Sequence, residues 1–192
     1  FAAMAYGQLS KATGNALHAE IAIRTFQNII QRKNNPKGKY SKSYPGTRPL
    51  QQFALPMILT NLVLEMEHLL EPTMVDDIAG DGIETVMNKF YRPDMGVILE
   101  HIDEDGNFSD SFEGRLVNPG HGLESMWFMM DLGVKKTDYA LIQKAVSVSR
   151  DLLDFGWDHQ YGGIFYFLDV KGNPPQQMEW DQKLWWAHVE AM

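Results

Sequence analysis

The chain has 192 residues, no cysteine and a formal net charge of −8, and 44% of its residues are hydrophobic. This composition is typical of a folded globular protein, and the length is ample for a hydrophobic core. The absence of cysteine excludes disulfides and thiolate metal sites, the acidic balance argues against a nucleic-acid or anionic-membrane binder, and no apolar run is long enough to cross a bilayer.

Helical periodicity dominates the chain and predicts seven helices. The second helix is separated from the third by a loop rich in Gly, Pro, Ser and Lys, and the fifth begins at Asn-Pro, a favoured N-cap and first helical residue. In chain order the predicted helices cover residues 1–13, 16–33, 50–70, 74–90, 118–132 and 138–155, with a last one from about residue 180.

Two segments break the helical pattern and are predicted to be strands that lead into Gly-Asn turns, VILEHIDEDGNF and IFYFLDVKGN. A single spacing, called the repeat offset below, carries Gly96 onto Gly162, Gly106 onto Gly172, and the ESM that begins at Glu124 onto a later EAM. We interpret this as an internal repeat of a helix pair plus a hairpin. Such pairs bury a continuous core by stacking, either as an open solenoid or as a closed ring.

Both ends of the chain lie in apolar helical patterns, FAAMAYGQLS and KLWWAHVEAM. Domain termini usually lie on polar, exposed segments, so we expect that both ends are cut and that a longer protein continues on each side. A ring of six helix pairs at this period needs about 400 residues, of which the chain would be about half.

The stretch NPGHGLESMW carries the strongest chemical pattern. It places His121 in the first turn of a helix, where the helix dipole disfavours imidazolium, and Glu124 one turn later on the same face, where it favours imidazolium and can fix the ring tautomer. This predicts a histidine near neutrality that acts as a general base. Arg115 is placed to hold an anionic or carbonyl oxygen. The alternative is a helix cap with an incidental histidine, and two ligands alone do not predict a metal site.

Two further clusters have weaker signals. The segment EWDQKLWWAHVEAM puts aromatic rings beside polar groups, which suits a sugar ring but also suits an aromatic core helix. The segment from Arg32 to Arg48 holds six Lys or Arg and no Asp or Glu. Its lysines can contact phosphates, although it is not a Walker A sequence, and the alternative is a solvated loop.

Several motifs together resemble the N-acylglucosamine 2-epimerases, also known as renin-binding proteins. They are GRLVNPGHGLESMWFMMDLG, WDHQYGGIFYFLD, EWDQKLWWAHVEAM and TRPLQQFALPMILTNLV, and the resemblance runs along nearly the whole chain. It implies an all-α fold, an (α/α)6 barrel with short β-hairpins in its connecting loops, of which residues 1–192 would be part of a single domain truncated at both ends.

The resemblance also implies interconversion of N-acetylglucosamine and N-acetylmannosamine, a sialic acid precursor, by removal and return of the proton at C2 of the open-chain sugar. His121 would be one of two catalytic histidines, with Glu124 as its partner. The same resemblance implies a cytoplasmic homodimer with no metal and with ATP as a non-consumed activator. Substrate contacts would come from Arg115, Asn118, Lys183 and Trp185, and nucleotide contacts from Lys37, Gly38 and Lys39.

One departure from the family pattern bears on activity. The second catalytic histidine lies in a Phe-His-x-Pro-Arg element that is absent here, so we expect little or no epimerase activity from the isolated chain. Three alternatives remain open. They are another sugar 2-epimerase or isomerase of the mannose or cellobiose type, a glycosidase with Glu124 and Asp181 as its carboxylates, and a non-catalytic interaction fragment.

Overall fold

A computed structural model describes residues 1–33 and 49–192 of the chain. Its packing divides the chain into two compact units. The first unit takes the described residues of Phe1–Pro49 together with Leu59–Ala79, and the second takes Leu50–Ile58 and Gly80–Met192. In the described ranges, every helix is too short or too polar to cross a membrane. The prediction of one barrel domain over residues 1–192 stays a prediction.

Helices make up most of the described structure. A 3₁₀ turn, Glu67–Leu69, follows the third helix, and a π-helical segment, Thr85–Phe90, continues the fourth. The α-helices in the described ranges are α1 Ala2–Thr13, α2 Ala16–Arg32, α3 Ala54–Glu65, α4 Pro72–Glu84, α5 Pro119–Lys136, α6 Tyr139–Gly156 and α7 Trp185–Glu190.

The strands form three small antiparallel pairs. They join β1 Leu50–Gln52 to β4 His101–Asp103, β2 Tyr91–Arg92 to β3 Val97–Ile98, and β5 Leu116–Val117 to β6 Leu168–Asp169. The first predicted strand segment is therefore the β3–β4 region, and the second contains β6. The all-α class with small strand pairs is confirmed. The pair β2–β3 is a hairpin, whereas the other two pairs join strands that are distant in the chain.

Four predicted helix boundaries are wrong by four or five residues. The third helix ends at Glu65 rather than at residue 70, and the fifth ends at Lys136 rather than at residue 132. The other two are helix starts, and both have local reasons. The third helix begins at Ala54 rather than at residue 50 because residues 50–52 pair with β4. The last helix begins at Trp185 rather than near residue 180. Before it, the carbonyls of Trp180 and Gln182 accept the backbone N–H of Tyr166, which holds this stretch in a turn against the preceding loop.

The first unit has a core between α1, α2 and the residues of α3 and α4 that belong to it. Phe26 is fully buried there, and α1 ends at Gly14, whose left-handed backbone (φ 65°) closes the helix. Its fully or nearly buried residues are Ala3, Ala22, Phe26, Leu59, Leu62, Val63, Met66 and Val75.

In the second unit, the same backbone pairings and hydrogen bonds occur twice, separated by the repeat offset that was found in the sequence. The antiparallel pair Tyr91 and Ile98 is matched by the bridge between Trp157 and Ile164. The N–H of Glu100 donates to the Leu116 carbonyl over 2.9 Å, just as that of Tyr166 donates to Gln182 over 3.0 Å.

The turns and helix starts follow the same offset. Gly106 and Gly172 both have positive φ, at 85° and 74°, where a side chain would be strained. The helix α5 begins at Pro119, and α7 begins at Trp185, its counterpart. The internal repeat is therefore a repeat of structure, and it places Glu190 of α7 in register with Glu124 of α5.

Candidate active site

The first three turns of the helix α5 are buried except along one narrow stripe, whereas its last turn is exposed. Between residues 118 and 130 only four residues are half-buried, each three positions after the last, and all the others are buried. Three positions is close to one helical turn, so the four side chains lie along one face. They are His121, Glu124, Trp127 and Met130. The predicted catalytic pair therefore lies on the accessible side of this part of α5.

The start of α5 fixes the backbone of His121. The Asn118 side chain caps the helix by accepting the His121 N–H over 3.1 Å, as the Asn-Pro signal predicts. Gly120 lets α7 approach closely, since a Cβ atom there would lie 2.7 Å from the Trp186 ring. The Trp186 ring in turn lies beside the His121 imidazole, with 5.5 Å between the ring centroids.

The carboxylate that bonds to His121 comes from outside α5. Glu100, which lies between β3 and β4, places Oε1 3.0 Å from His121 Nδ1, and its side chain is only 10% exposed. Burial acts to lower the pKa of His121, but the hydrogen bond and charge of Glu100, with a contribution from Glu124, raise it above its ordinary value. Nε2 then has no hydrogen-bond partner among the described residues.

Glu124 acts on His121 through its charge, and the structure corrects the prediction that it fixes the ring tautomer. Its own ionisation is unusual. Burial, followed by the negative charge of Glu190, raises the pKa of Glu124 to about 7, against a smaller opposing effect of His121. Glu190 is held in place by Trp127, whose Nε1–H donates to Glu190 Oε2 over 2.7 Å. Glu190, rather than Asp181, is therefore the carboxylate that acts on Glu124.

The predicted substrate residues have protein partners of their own. Arg115 donates to Asp169 over 2.8 Å and to Asp110 over 2.9 Å, and these bonds raise its pKa despite the opposing effect of burial. Lys183 pairs with Asp158 over 2.5 Å. Their assignment to substrate binding, like that of Asn118, stays a prediction.

Trp186, not Trp185, is the tryptophan that packs on His121. The side chain of Trp185 is largely exposed, and its assignment to substrate binding also stays a prediction. The neighbouring His188 has a structural role, because its Nε2 accepts the Ile164 N–H over 3.0 Å and its Nδ1 donates to the Leu184 carbonyl over 2.8 Å. These two bonds fix one ring tautomer and occupy both nitrogens.

The nucleotide-binding prediction falls on Lys37, Gly38 and Lys39, which lie outside the described residues. In the described ranges, no three His, Asp or Glu side chains are grouped as metal ligands would be.

Sequence reasoning missed five residues of this site, and two signals point to three of them. Glu100 is a charged residue in the apolar run VILEH, which is unusual unless the charge has a partner. The repeat offset links Glu124 to Glu190 and Glu100 to Tyr166, whose ring packs edge-on against Trp186 at 6.0 Å. Trp186 lies in the aromatic segment EWDQKLWWAHVEAM, but nothing in that segment indicates that it contacts His121, and Trp127 has no signal beyond its helical spacing.

Comparison with known proteins places this site in a family. A family model described as N-acylglucosamine 2-epimerase matches residues 1–192. The N-acylglucosamine 2-epimerases of Rattus norvegicus and Mus musculus are each 36% identical to the chain, and that of Homo sapiens is 32% identical. Each match covers 100% of the chain and 46% of the relative, so the chain spans about half the length of these proteins.

Solved structures of low sequence identity share the fold. A sugar epimerase from a ruminal bacterium has a TM-score of 0.71 at 16% identity, and the cellobiose 2-epimerase of Bacillus thermoamylovorans has 0.73 at 13%. Each match covers 98% of the chain and 50% of the solved structure, and these neighbours are of the (α/α)6 barrel class. Because a family model matches every residue and relatives match its whole length at 32–36% identity, the chain belongs to the N-acylglucosamine 2-epimerase family.

Proposed function

We propose that the chain supplies one of the two proton-transferring groups of an N-acylglucosamine 2-epimerase. In this proposal the enzyme interconverts N-acetylglucosamine and N-acetylmannosamine, and His121 is the group that exchanges a proton with C2. The observation that carries the proposal is the arrangement of the imidazole. Nδ1 is bonded to the buried Glu100 carboxylate, and the ring lies on the one half-buried stripe of α5.

The proposed step begins from the open-chain sugar. His121 Nε2 removes the C2 proton, the electron pair of that bond forms the C1–C2 double bond, and the negative charge passes to the aldehyde oxygen. Glu100 stabilises the imidazolium that results, since a carboxylate at Nδ1 favours the charged ring. A group on the opposite face of the sugar returns a proton to C2, and in this proposal that group is the second histidine that the family pattern places outside these residues.

The aromatic rings beside His121 suit the proposed substrate. Tyr166 and Trp186 pack against each other and Trp186 packs against the imidazole, and both rings belong to half-buried residues. A sugar offers apolar C–H faces as well as hydroxyls, so rings of this kind can hold it next to the base. Arg115, Asn118, Lys183 and Trp185 remain proposed substrate contacts, and binding through Arg115 or Lys183 would compete with the ion pairs described above.

The relatives favour an N-acylated amino sugar over other sugars. Proteins named N-acylglucosamine 2-epimerase are 32–36% identical to the chain. The likeness to a D-mannose isomerase and to cellobiose 2-epimerases is at 13–14% identity, which concerns the fold alone. A panel of N-acetylglucosamine, N-acetylmannosamine, mannose and cellobiose separates these substrates.

The test uses the protein that carries this chain and a His121→Asn variant, with His159→Asn as the matched control because His159 is exposed. We expect conversion of the N-acetylated sugars by the parent and the control, and a loss of roughly 10²- to 10⁴-fold in the His121 variant, the usual contribution of a general base. Unchanged conversion by His121→Asn would refute the proposal.

Three finer parts of the proposal derive from the family resemblance. They are activation by ATP that is not consumed, with contacts from Lys37, Gly38 and Lys39, a homodimeric assembly, and a cytoplasmic location. Epimerase assays with and without ATP, on the parent and on Lys39→Ala, test the first part. An ATP response that the variant shares with the parent would remove Lys39 from the proposed contact.

A further inference from the structure

Glu124 and Glu190 form a second chemical group beside His121. Glu124 is one turn from His121 on the half-buried stripe of α5, and Trp127 is one turn further. Because Trp127 donates to Glu190 over 2.7 Å, it brings the Glu190 carboxylate from α7 to the same stripe. The structural repeat relates the two glutamates, which come from the equivalent turns of α5 and α7.

The surroundings of the two carboxyl groups differ. Glu190 accepts a hydrogen bond from the indole N–H of Trp127. Glu124 is partly desolvated and faces the negative charge of Glu190, and both effects favour its neutral form. The other titratable group that acts on Glu124 is His121 on α5 itself, and Glu100 lies beyond His121, bonded to its Nδ1.

We propose that Glu124 and Glu190 act as a carboxyl pair that holds one proton, with Glu124 as the neutral acid that donates a hydrogen bond to the aldehyde oxygen of the open-chain sugar. This inference rests on the proposed function of His121. When His121 takes the C2 proton, the electron pair of the C–H bond becomes the C1–C2 double bond and the aldehyde oxygen becomes negative. A donor already aimed at that oxygen stabilises the charge as it develops. The Glu124 proton stays on Glu124, so no further acid is consumed.

The pair gives Glu124 a role separate from that of Glu100. Glu100 stabilises the charge that His121 gains, whereas Glu124 stabilises the charge that the substrate gains. Activity then requires a neutral imidazole and a neutral Glu124 together, which predicts a bell-shaped dependence of rate on pH. The alkaline limb then reports the loss of the proton from Glu124.

The first test compares pH–rate profiles of the parent protein, Glu190→Gln and Glu124→Gln. Glu190→Gln removes the charge that keeps the proton on Glu124, so the alkaline limb moves to lower pH by roughly one unit or more. Glu124→Gln keeps a neutral N–H donor at every pH, so part of the activity remains and the alkaline limb disappears. Glu113→Gln, an exposed glutamate, is the matched control and keeps the parent profile. An alkaline limb that is the same in the parent and in both variants overturns the proposal.

The second test needs no substrate and separates this inference from the proposed function. Infrared difference spectra between about pH 6 and about pH 9 detect a carboxyl group that loses its proton in that range, where an ordinary glutamate is already ionised. We expect the band in the parent and in Glu113→Gln, and its loss in Glu124→Gln. In Glu190→Gln the signal should appear at lower pH. If the parent shows no such band, the carboxyl pair is refuted, whether or not His121 is the base. If the band is present but His121→Asn is fully active, the proposed role of His121 is refuted and the carboxyl pair is not.

Discussion

At the scale of single residues, the charge state of His121 is set by opposing effects. Burial disfavours the imidazolium, and Glu100 at 3.0 Å favours it strongly enough to raise the pKa of His121 above its ordinary value. A general base must be neutral to accept a proton, so the rate should rise with pH through the pKa of His121. The carboxylate that strengthens the base therefore also raises the pH at which the base becomes available.

Replacing Glu100 by glutamine should separate these two effects. Without the negative charge the pKa of His121 falls, so the acid limb of the pH–rate profile moves to lower pH. The maximal rate should also fall, by roughly 10- to 100-fold, because the imidazolium formed in the reaction loses its stabilising partner. Steady-state rates measured across the acid limb check both effects. The control is Glu104→Gln, which changes an exposed glutamate just after β4 and should leave the profile as it is. An acid limb that does not move in Glu100→Gln would contradict the role of Glu100.

The sequence predicted part of this site, and physical reasons separate what was found from what was missed. His121 and its cap could be predicted because Asn118, Pro119 and His121 are neighbours in one helix start. Glu100 is 21 residues away from His121, and only tertiary packing brings the two together. Local spacing therefore assigned the hydrogen bond to Glu124, which is near in sequence and affects His121 through charge instead.

At the scale of secondary-structure elements, the contact between α5 and α7 positions the aromatic side of the site. It depends on Gly120, where a Cβ atom would lie 2.7 Å from the Trp186 ring and 2.9 Å from the Ala187 Cβ atom. Such distances are too short for a packed interior, so any side chain at this position has to push α7 away. The packing of Trp186 on His121 therefore requires glycine here.

Gly120→Ala should lower both the stability and the activity of the protein. Overpacking of this kind costs about 1–3 kcal/mol in the free energy of unfolding, and the displacement of Trp186 should reduce the epimerase rate. Denaturant unfolding and steady-state kinetics measure the two effects. In the control Gly80→Ala, nothing lies within 4 Å of the added methyl group. That helix-interior substitution should stabilise by up to about 1 kcal/mol. A Gly120→Ala variant as stable as the parent would show that α7 does not need this close approach.

The repeat also explains a cavity in the second unit. Arg150, Leu153, Asp154, Trp157 and His159 line a cavity of about 390 Å³. The repeat offset carries Met87 onto Leu153 and Tyr91 onto Trp157, and α6 covers the earlier two residues. Its Lys144 donates to the Met87 carbonyl over 3.4 Å and lies 6.0 Å from the Tyr91 ring centre. The cavity thus corresponds to a place where a helix packs in the preceding repeat unit, and the proposed sugar site lies at His121 instead.

Helix periodicity predicted the elements more reliably than their ends. The helices α2, α5 and α6 have long apolar stripes and clear caps, and the predicted and observed ranges largely agree. The strand β1 was missed because three residues carry too little pattern, and its partner β4 lies far along the chain. The start of α7 was placed too early because the turn at residues 180–184 is held by hydrogen bonds to the loop around Tyr166.

At the scale of the whole molecule, the chain spans 46% of its curated relatives, and the proposed reaction needs groups on both faces of the sugar. His121 and its two carboxylate neighbours account for one face. The second unit contains every described residue of this half of the proposed machinery, from Glu100 to Glu190. We therefore expect that the isolated chain does not complete the epimerisation, because the proposed partner of His121 is the histidine of a Phe-His-x-Pro-Arg element, which these residues do not contain.

Hydrogen exchange at C2 tests the central claim most directly, because it follows the proton that His121 is proposed to move. The protein that carries this chain and its His121→Asn variant are incubated in heavy water with N-acetylglucosamine or N-acetylmannosamine, and the C2 signal is followed by NMR. The parent should exchange the C2 hydrogen of both sugars and interconvert them. His121→Asn should lose interconversion and should lose exchange for one of the two sugars, while the group on the opposite face still exchanges the other. If the variant exchanges and interconverts both sugars like the parent, His121 is not the base.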